Sequence, residues 1–189
     1  YDREPAYRDG RVHQEDFNQI LGASGDQKYQ EYGGRVTLRR AAEALAAAGA
    51  TGEIRTLATQ VVLAASIGNL DMHAKNISVL HLRDGSVRLA PAYDVVPMTH
   101  LHGVDGRLAL AVGGVYVHSQ LTKAAIVDEL TSWRLRGAES LVDETLDAVR
   151  TAAREQLPLQ GAASSVQEDI VRISNNLLSG KPAGAHPSR

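Results

Sequence analysis

The sequence predicts an α+β domain that is mostly helical and carries one central β-hairpin. Alanine-rich or helix-periodic segments recur along the chain, opened by Ser or Thr at cap positions and closed by Gly. Between them, Asp84-Gly85 separates two apolar, β-branched runs, the strongest short-range hairpin signal. The segment from about Glu53 to Ile67 is almost wholly apolar after Val61. A helix apolar all round is buried, so this one runs through the core.

Residues 1–13 are expected to be an extended, turn-rich lead-in, with Pro5 and Asp9-Gly10 as breakers. Gln14 to Leu21 predicts a short helix closed by Gly22, with Phe17, Ile20 and Leu21 on one face. The polar, glycine-rich stretch from Ala23 to Gly34 is a loop. Thr37 caps an alanine-rich helix ending near Gly49. The buried helix then delivers its C-terminal end to Gly68-Asn69 and the polar loop beyond, a rigid support for a site. If Asp84 and Gly85 are the two residues of a type I′ turn, Leu82 faces Val87, Asn76 faces Tyr93 and Lys75 faces Asp94.

Loop and short-strand material follows, to about Gly114. Thr122 caps a helix to about Leu135, with Ile126, Leu130 and Trp133 at helical spacing, and Gly137 breaks it. A further helix, about Ala138 to Gln156, ends at Pro158 and Gly161. Ser165-x-x-Glu168 is a capping-box signature for a last helix reaching Leu178 to Gly180. Residues 1–180 thus form the domain. Residues 181–189 have no core-forming pattern and are expected to be a disordered tail. The chain opens on Tyr1 without a methionine, and is expected to continue something upstream.

At 189 residues, 43% hydrophobic, with a net charge of −2, the chain has the composition of an ordinary globular domain. No basic excess calls for direct nucleic-acid binding. The absence of cysteine excludes disulfides and thiolate metal sites. No apolar run approaches membrane-spanning length and no secretory leader opens the chain, so a cytoplasmic location is expected. His73, His81, His100 and His102 share no ligand spacing and are not read as a zinc site.

The stretch Asn69 to Asp94 concentrates the chemistry. Phosphoryl transfer needs a carboxylate to orient the attacking hydroxyl and oxygen ligands to hold Mg²⁺ against the nucleotide phosphates. Asp71 and Asn76 stand five positions apart, the spacing of the catalytic Asp and metal-binding Asn in the protein-kinase signature. Asp94, returned by the hairpin, is a second metal carboxylate. Spacing by itself leaves another reading open, a polar loop in which Asn69 and Asp71 only cap and turn.

NLDMHAKNISVL followed by RLAPAYDVV closely resembles the C-terminal lobe of HipA-like serine/threonine kinases, the toxins of a type II toxin-antitoxin system. YDR at the start, RVHQEDFNQILG, KYQEYGG and RLALAVGG agree with the same family. The resemblance implies the C-lobe of a protein-kinase/lipid-kinase-like fold. It implies Asp71 as the catalytic base, Asn76 and Asp94 as Mg²⁺ ligands, and His73, Ala74 and Lys75 as the loop approaching the ATP phosphates. Tyr93 precedes the metal aspartate as in the family, and Tyr1 falls at the adenine-contacting hinge. Lys28 is a candidate phosphate contact. Implied partners are a helix-turn-helix antitoxin (HipB-like), operator DNA through it, and a protein substrate such as an aminoacyl-tRNA synthetase. The family's N-terminal lobe, with its glycine-rich loop and nucleotide-binding lysine, has no counterpart in these residues. Little activity is therefore expected from this chain alone. The alternative function is a non-catalytic remnant that binds an antitoxin or another protein.

Overall fold

The computed structural model describes residues 11–156, 160–161, 163 and 165–186; Tyr1, Pro5, Asp9-Gly10 and Pro158 lie outside them. The chain opens with strand β1 (His13–Asp16) and a one-turn helix α1 (Phe17–Ile20). Asp16 Oδ1 accepts the Gln19 N–H at 2.8 Å, and Gln19 Oε1 accepts the Asp16 N–H at 3.0 Å. This reciprocal cap starts the helix at Phe17, so the first three residues of the helix expected from Gln14 are strand. A short polar edge strand has no apolar alternation to reveal it. Gly22 closes α1 with φ +62, as expected.

The expected loop after it is tightened by two 3-10 turns, Gly25–Lys28 and Gln30–Tyr32. Helix α2 (Leu38–Ala47) starts from Thr37, whose hydroxyl accepts the Arg40 N–H at 3.1 Å, and it buries Leu38, Ala41, Ala42 and Leu45. Helix α3 (Glu53–Ile67) runs through the core and stops at Gly68, which adopts φ +68. A side chain at Gly68 would lie 2.6 Å from Thr99, because the loop at 98–101 packs against the end of α3. The Met98 N–H donates to the Gly68 carbonyl at 3.0 Å, fixing that loop.

Strands β2 (Ser78–His81) and β3 (Val87–Leu89) form the hairpin, and β1 adds to it in a three-stranded antiparallel sheet with β2 in the middle. Val79 lies opposite Leu89 and His81 opposite Val87, a register one residue away from the expected one. The cause is local. The Leu82 N–H donates to the Ser86 carbonyl and the Gly85 N–H to the Leu82 carbonyl, closing a three-residue loop rather than a type I′ pair. Asp84 keeps a negative φ and accepts from the Ser86 N–H at 2.9 Å and the Ser86 hydroxyl at 2.6 Å, while Gly85 alone adopts positive φ.

A second hairpin, β4 (Arg107–Val112) and β5 (Val115–Val117), turns at Gly113-Gly114 with both φ positive. Helix α4 (Lys123–Ser132) starts from its Thr122 cap and ends before the expected Leu135, because Arg134 turns into the left-handed region. Helix α5 (Ala138–Glu155) follows Gly137. In helix α6 (Ser165–Leu178), Ser165 is already the first helical residue, so the cap position lies outside the described residues. Helix α3 packs against α2, α5, α6 and β3, and its burial joins these elements into one hydrophobic core.

The tail corrects a sequence expectation. Residues 181–186 are docked: Ala183 is fully buried, its N–H donates to the Leu121 carbonyl at 2.8 Å, and the Gly184 N–H donates to the Ser119 carbonyl at 2.9 Å. Asn176 Nδ2 also donates to the Ala183 and Ala185 carbonyls. Low-apolar composition concealed a segment held by its backbone.

Candidate functional site

The buried end of α3 places the site. Beyond Gly68, Asn69 is buried and its Oδ1 accepts the Asp71 N–H at 3.0 Å, a side-chain turn that presents the Asp71 carboxylate outward. On the other side, the Ala109 N–H of β4 donates to the Leu70 carbonyl at 2.9 Å. The backbone at Leu70 and Asp71 is thus held from both directions while the Asp71 side chain stays 43% exposed.

Asn76 and Asp94 lie beyond the last paired residues of β2 and β3, yet they meet. Asn76 Nδ2 donates to the Asp71 carbonyl at 2.9 Å and to Asp94 Oδ2 at 3.1 Å. With its amide nitrogen so used, Asn76 Oδ1 is the side-chain atom left to accept or coordinate. Asp94 is exposed and adopts φ +53, a conformation that costs a non-glycine residue about 1–2 kcal/mol. Tyr93 does not point freely into a nucleotide space: its hydroxyl bonds to Ser78 Oγ and donates to the Lys75 carbonyl, clamping the 3-10 turn Ala74–Asn76.

The remaining predicted residues divide by burial. Lys75 is exposed, whereas Ala74 is fully buried. His73 is 7% exposed, and its Nδ1 is buried with no hydrogen-bond partner. Burial lowers the His73 pKa below the ordinary imidazole range; the Asp71 and Asp94 carboxylates oppose this, and Lys28 adds to it. At neutral pH the ring is uncharged, so its 4.0 Å approach to Asp71 is not an ion pair. Tyr1 lies outside the described residues.

Sequence reasoning passed over part of the site. Tyr29 reaches Asp71 with its hydroxyl at 3.4 Å from Oδ1 and packs edge-on against His73, while Lys28 Nζ sits 4.7 Å from the Tyr29 ring centroid. A contact across 42 residues leaves no local signal. Asn69 was visible, since Asn-x-Asp is an Asx-turn pattern. Beside Asp71 opens a cleft of about 260 Å³ whose lining includes Tyr29, Leu70, Met98, Arg107 and Leu108. Arg107 is fixed there by Glu31 through two bonds, at 3.0 and 2.7 Å.

Asn76 and the Asp94 carboxylate meet on the loop that carries Asp71, and amide and carboxylate oxygens are donors that suit a hard divalent cation. The family profile described as HipA-like C-terminal domain matches residues 1–157. The chain belongs to this family. Among curated relatives, the protein named "Putative kinase Y4mE" of Sinorhizobium fredii is 32% identical over 120 residues, covering 60% of this chain and 27% of its own length. "Putative kinase Y4dM" of the same organism is 33% identical over 106 residues, covering 56% of this chain and 24% of its own length. The chain therefore spans about a quarter of the length of these relatives. The HipA chain of a Shewanella oneidensis MR-1 complex of HipA, HipB and operator DNA superposes with a TM-score of 0.72 at 23% identity, over 95% of this chain and 46% of that one. The HipA fold is thereby matched along nearly the whole chain, with an α+β layout in which about half of the residues, rather than most, are helical. No helix among the described residues is long and apolar enough to cross a membrane.

Proposed function

We propose that this chain is the catalytic C-lobe of an ATP- and Mg²⁺-dependent serine/threonine kinase of the HipA toxin type. The observation that supports it is the Asn76 amide, which bonds both the Asp71 carbonyl and the Asp94 carboxylate and so ties the Asp71 loop to a carboxylate 18 residues beyond Asn76. The donors fit the ions: carboxylate and amide oxygens are what Mg²⁺ takes, usually alongside waters and phosphate oxygens.

In this reading Asp94 and Asn76 hold the metal. The Asp71 carboxylate orients a serine or threonine hydroxyl entering from the adjacent cleft and accepts its proton. Tyr29 restrains the carboxylate, and the neutral His73 gives the loop a packed floor. Lys75 and Lys28 supply positive charge to the nucleotide side, and Tyr93 braces the loop from beneath. Mg-ATP, when bound, supplies the transferable phosphoryl group and neutralises its charge. An N-terminal lobe completes the clamp on the nucleotide, since positioning dominates this chemistry. By the company of the solved relative, a HipB-like antitoxin and operator DNA are the proposed partners, and a translation enzyme such as an aminoacyl-tRNA synthetase the proposed substrate.

Calorimetric titration of ATP with and without Mg²⁺ tests the reading. Metal-dependent binding is expected in this chain and is lost in Asp94→Asn. If binding is absent here and also when an N-terminal lobe is added in trans, the kinase reading fails.

A further inference from the structure

We infer that the face of the β1–β2 ladder holds a second, separate metal site for a late transition ion of the Zn²⁺ type, formed by His13, Glu15 and His81. His13 and His81 are directly opposed across the antiparallel pair, and Glu15 lies two residues from His13 on the same face. Candidate ligand atoms of the three residues all lie within 4.8 Å of one another. Among the described residues, it is the group of three or more His, Asp or Glu side chains that converges closely enough to hold an ion.

The geometry is already close to what binding needs. His81 Nε2 and Glu15 Oε2 are 2.7 Å apart, and the two imidazoles face each other with ring centroids at 5.1 Å. A tetrahedral ion with bonds near 2.0–2.1 Å separates its ligand atoms by about 3.3 Å, so Glu15 and His81 open slightly and His13 swings inward. Both side chains of the Glu15–His81 pair are 37% exposed, which gives an ion access and leaves a position for water.

The ligand chemistry separates this site from the one at Asp94. Two imidazoles and one carboxylate select zinc or its neighbours, while Mg²⁺ prefers oxygen alone. Its place in the fold also gives it a consequence. Val79 and Leu89, on the same face, are buried in the core, so the polar trio sits where the sheet runs past the core edge. An ion there cross-links β1 to β2, the strand that continues directly into Ile77 and Asn76. The Phe17 N–H already donates to the Ile77 carbonyl at 3.0 Å. The metal reinforces the same tie one strand length away.

Zinc calorimetry and Co²⁺ absorption on the chain, beside His13→Ala, Glu15→Gln and His81→Ala, decide the matter. One equivalent of Zn²⁺ is expected to bind and to raise the thermal midpoint. Because loss of even an outer partner weakens metal sites 10- to 100-fold, each histidine variant should weaken binding by about tenfold or more. Asp94→Asn should leave Zn²⁺ affinity unchanged. Circular dichroism confirms that each variant is folded, and His81→Asn replaces His81→Ala if that variant is not. Absence of Zn²⁺ binding, or binding indifferent to all three ladder variants, overturns the assignment.

Discussion

Asp71 and Asp94 carry different burdens although both are acidic and both lie on loops. In the proposed kinase reading Asp71 acts through its side chain, while Asn69 holds its N–H and Ala109 holds the neighbouring Leu70 carbonyl. In an assembly competent for phosphorylation, Asp71→Asn should leave Mg-ATP affinity within a few-fold and lower turnover by about 10²- to 10⁴-fold, the range for losing a general base. Steady-state kinetics alongside nucleotide titration checks this. Histidines supply a second residue-scale prediction. His118 is 3% exposed, donates through Nε2 to the Ala65 carbonyl at 2.7 Å, and has its pKa lowered chiefly by burial. Since a neutral imidazole beside a carbonyl must donate, Nε2 carries the proton. His73 is lowered for the same first reason. In the unfolded chain both protonate near 6.5, whereas in the fold they resist, so as pH falls below about 6.5 the unfolded state gains protons first and stability declines. Urea midpoints should therefore drop between pH 7.5 and 5.5, and His118→Gln should flatten that slope.

Adjacent glycines of the second hairpin offer a matched pair at the scale of the element. Both Gly113 and Gly114 have positive φ, but a Cβ on Gly113 would lie 2.3 Å from the Ala125 carbonyl oxygen of α4, whereas Gly114 faces open space. Gly114→Ala should cost about 1–2 kcal/mol for the left-handed backbone alone. Gly113→Ala adds the displacement of α4 and should cost about 3 kcal/mol or more in chemical denaturation. Elements such as α2, α3 and α4 were legible because Thr37, Thr122 and Gly68 act within a turn of their own position. The register of β2 and β3 was not, since Asp84 chose a side-chain bond to Ser86 over a left-handed backbone, and a dipeptide cannot announce that choice. Strand β1 was illegible for a different reason: its four polar residues become a strand only because β2 is there to pair with.

The whole molecule depends on segments that sequence composition undervalues. Deleting residues 181–189 should lower stability by about 2–4 kcal/mol, removing several backbone and Asn176 hydrogen bonds worth about 1 kcal/mol each and exposing Leu121; urea denaturation measures it. At this scale the site was partly legible. Asp71, Asn76 and Asp94 could be named from spacing and resemblance, and they meet. Tyr29 and the cleft beside Arg107 could not, because 42 and 76 residues separate their partners. Distance along the chain also sets an order in time. Glu15 and His81 are 66 residues apart, so at ribosomal speeds of about 5–20 residues per second β1 leaves the ribosome roughly 3 to 13 seconds before its partner. During that interval the strand is an open template, vulnerable to pairing with whatever neighbouring chain arrives first. The charged Glu15 and Asp16 on it then act as a guard for the nascent protein.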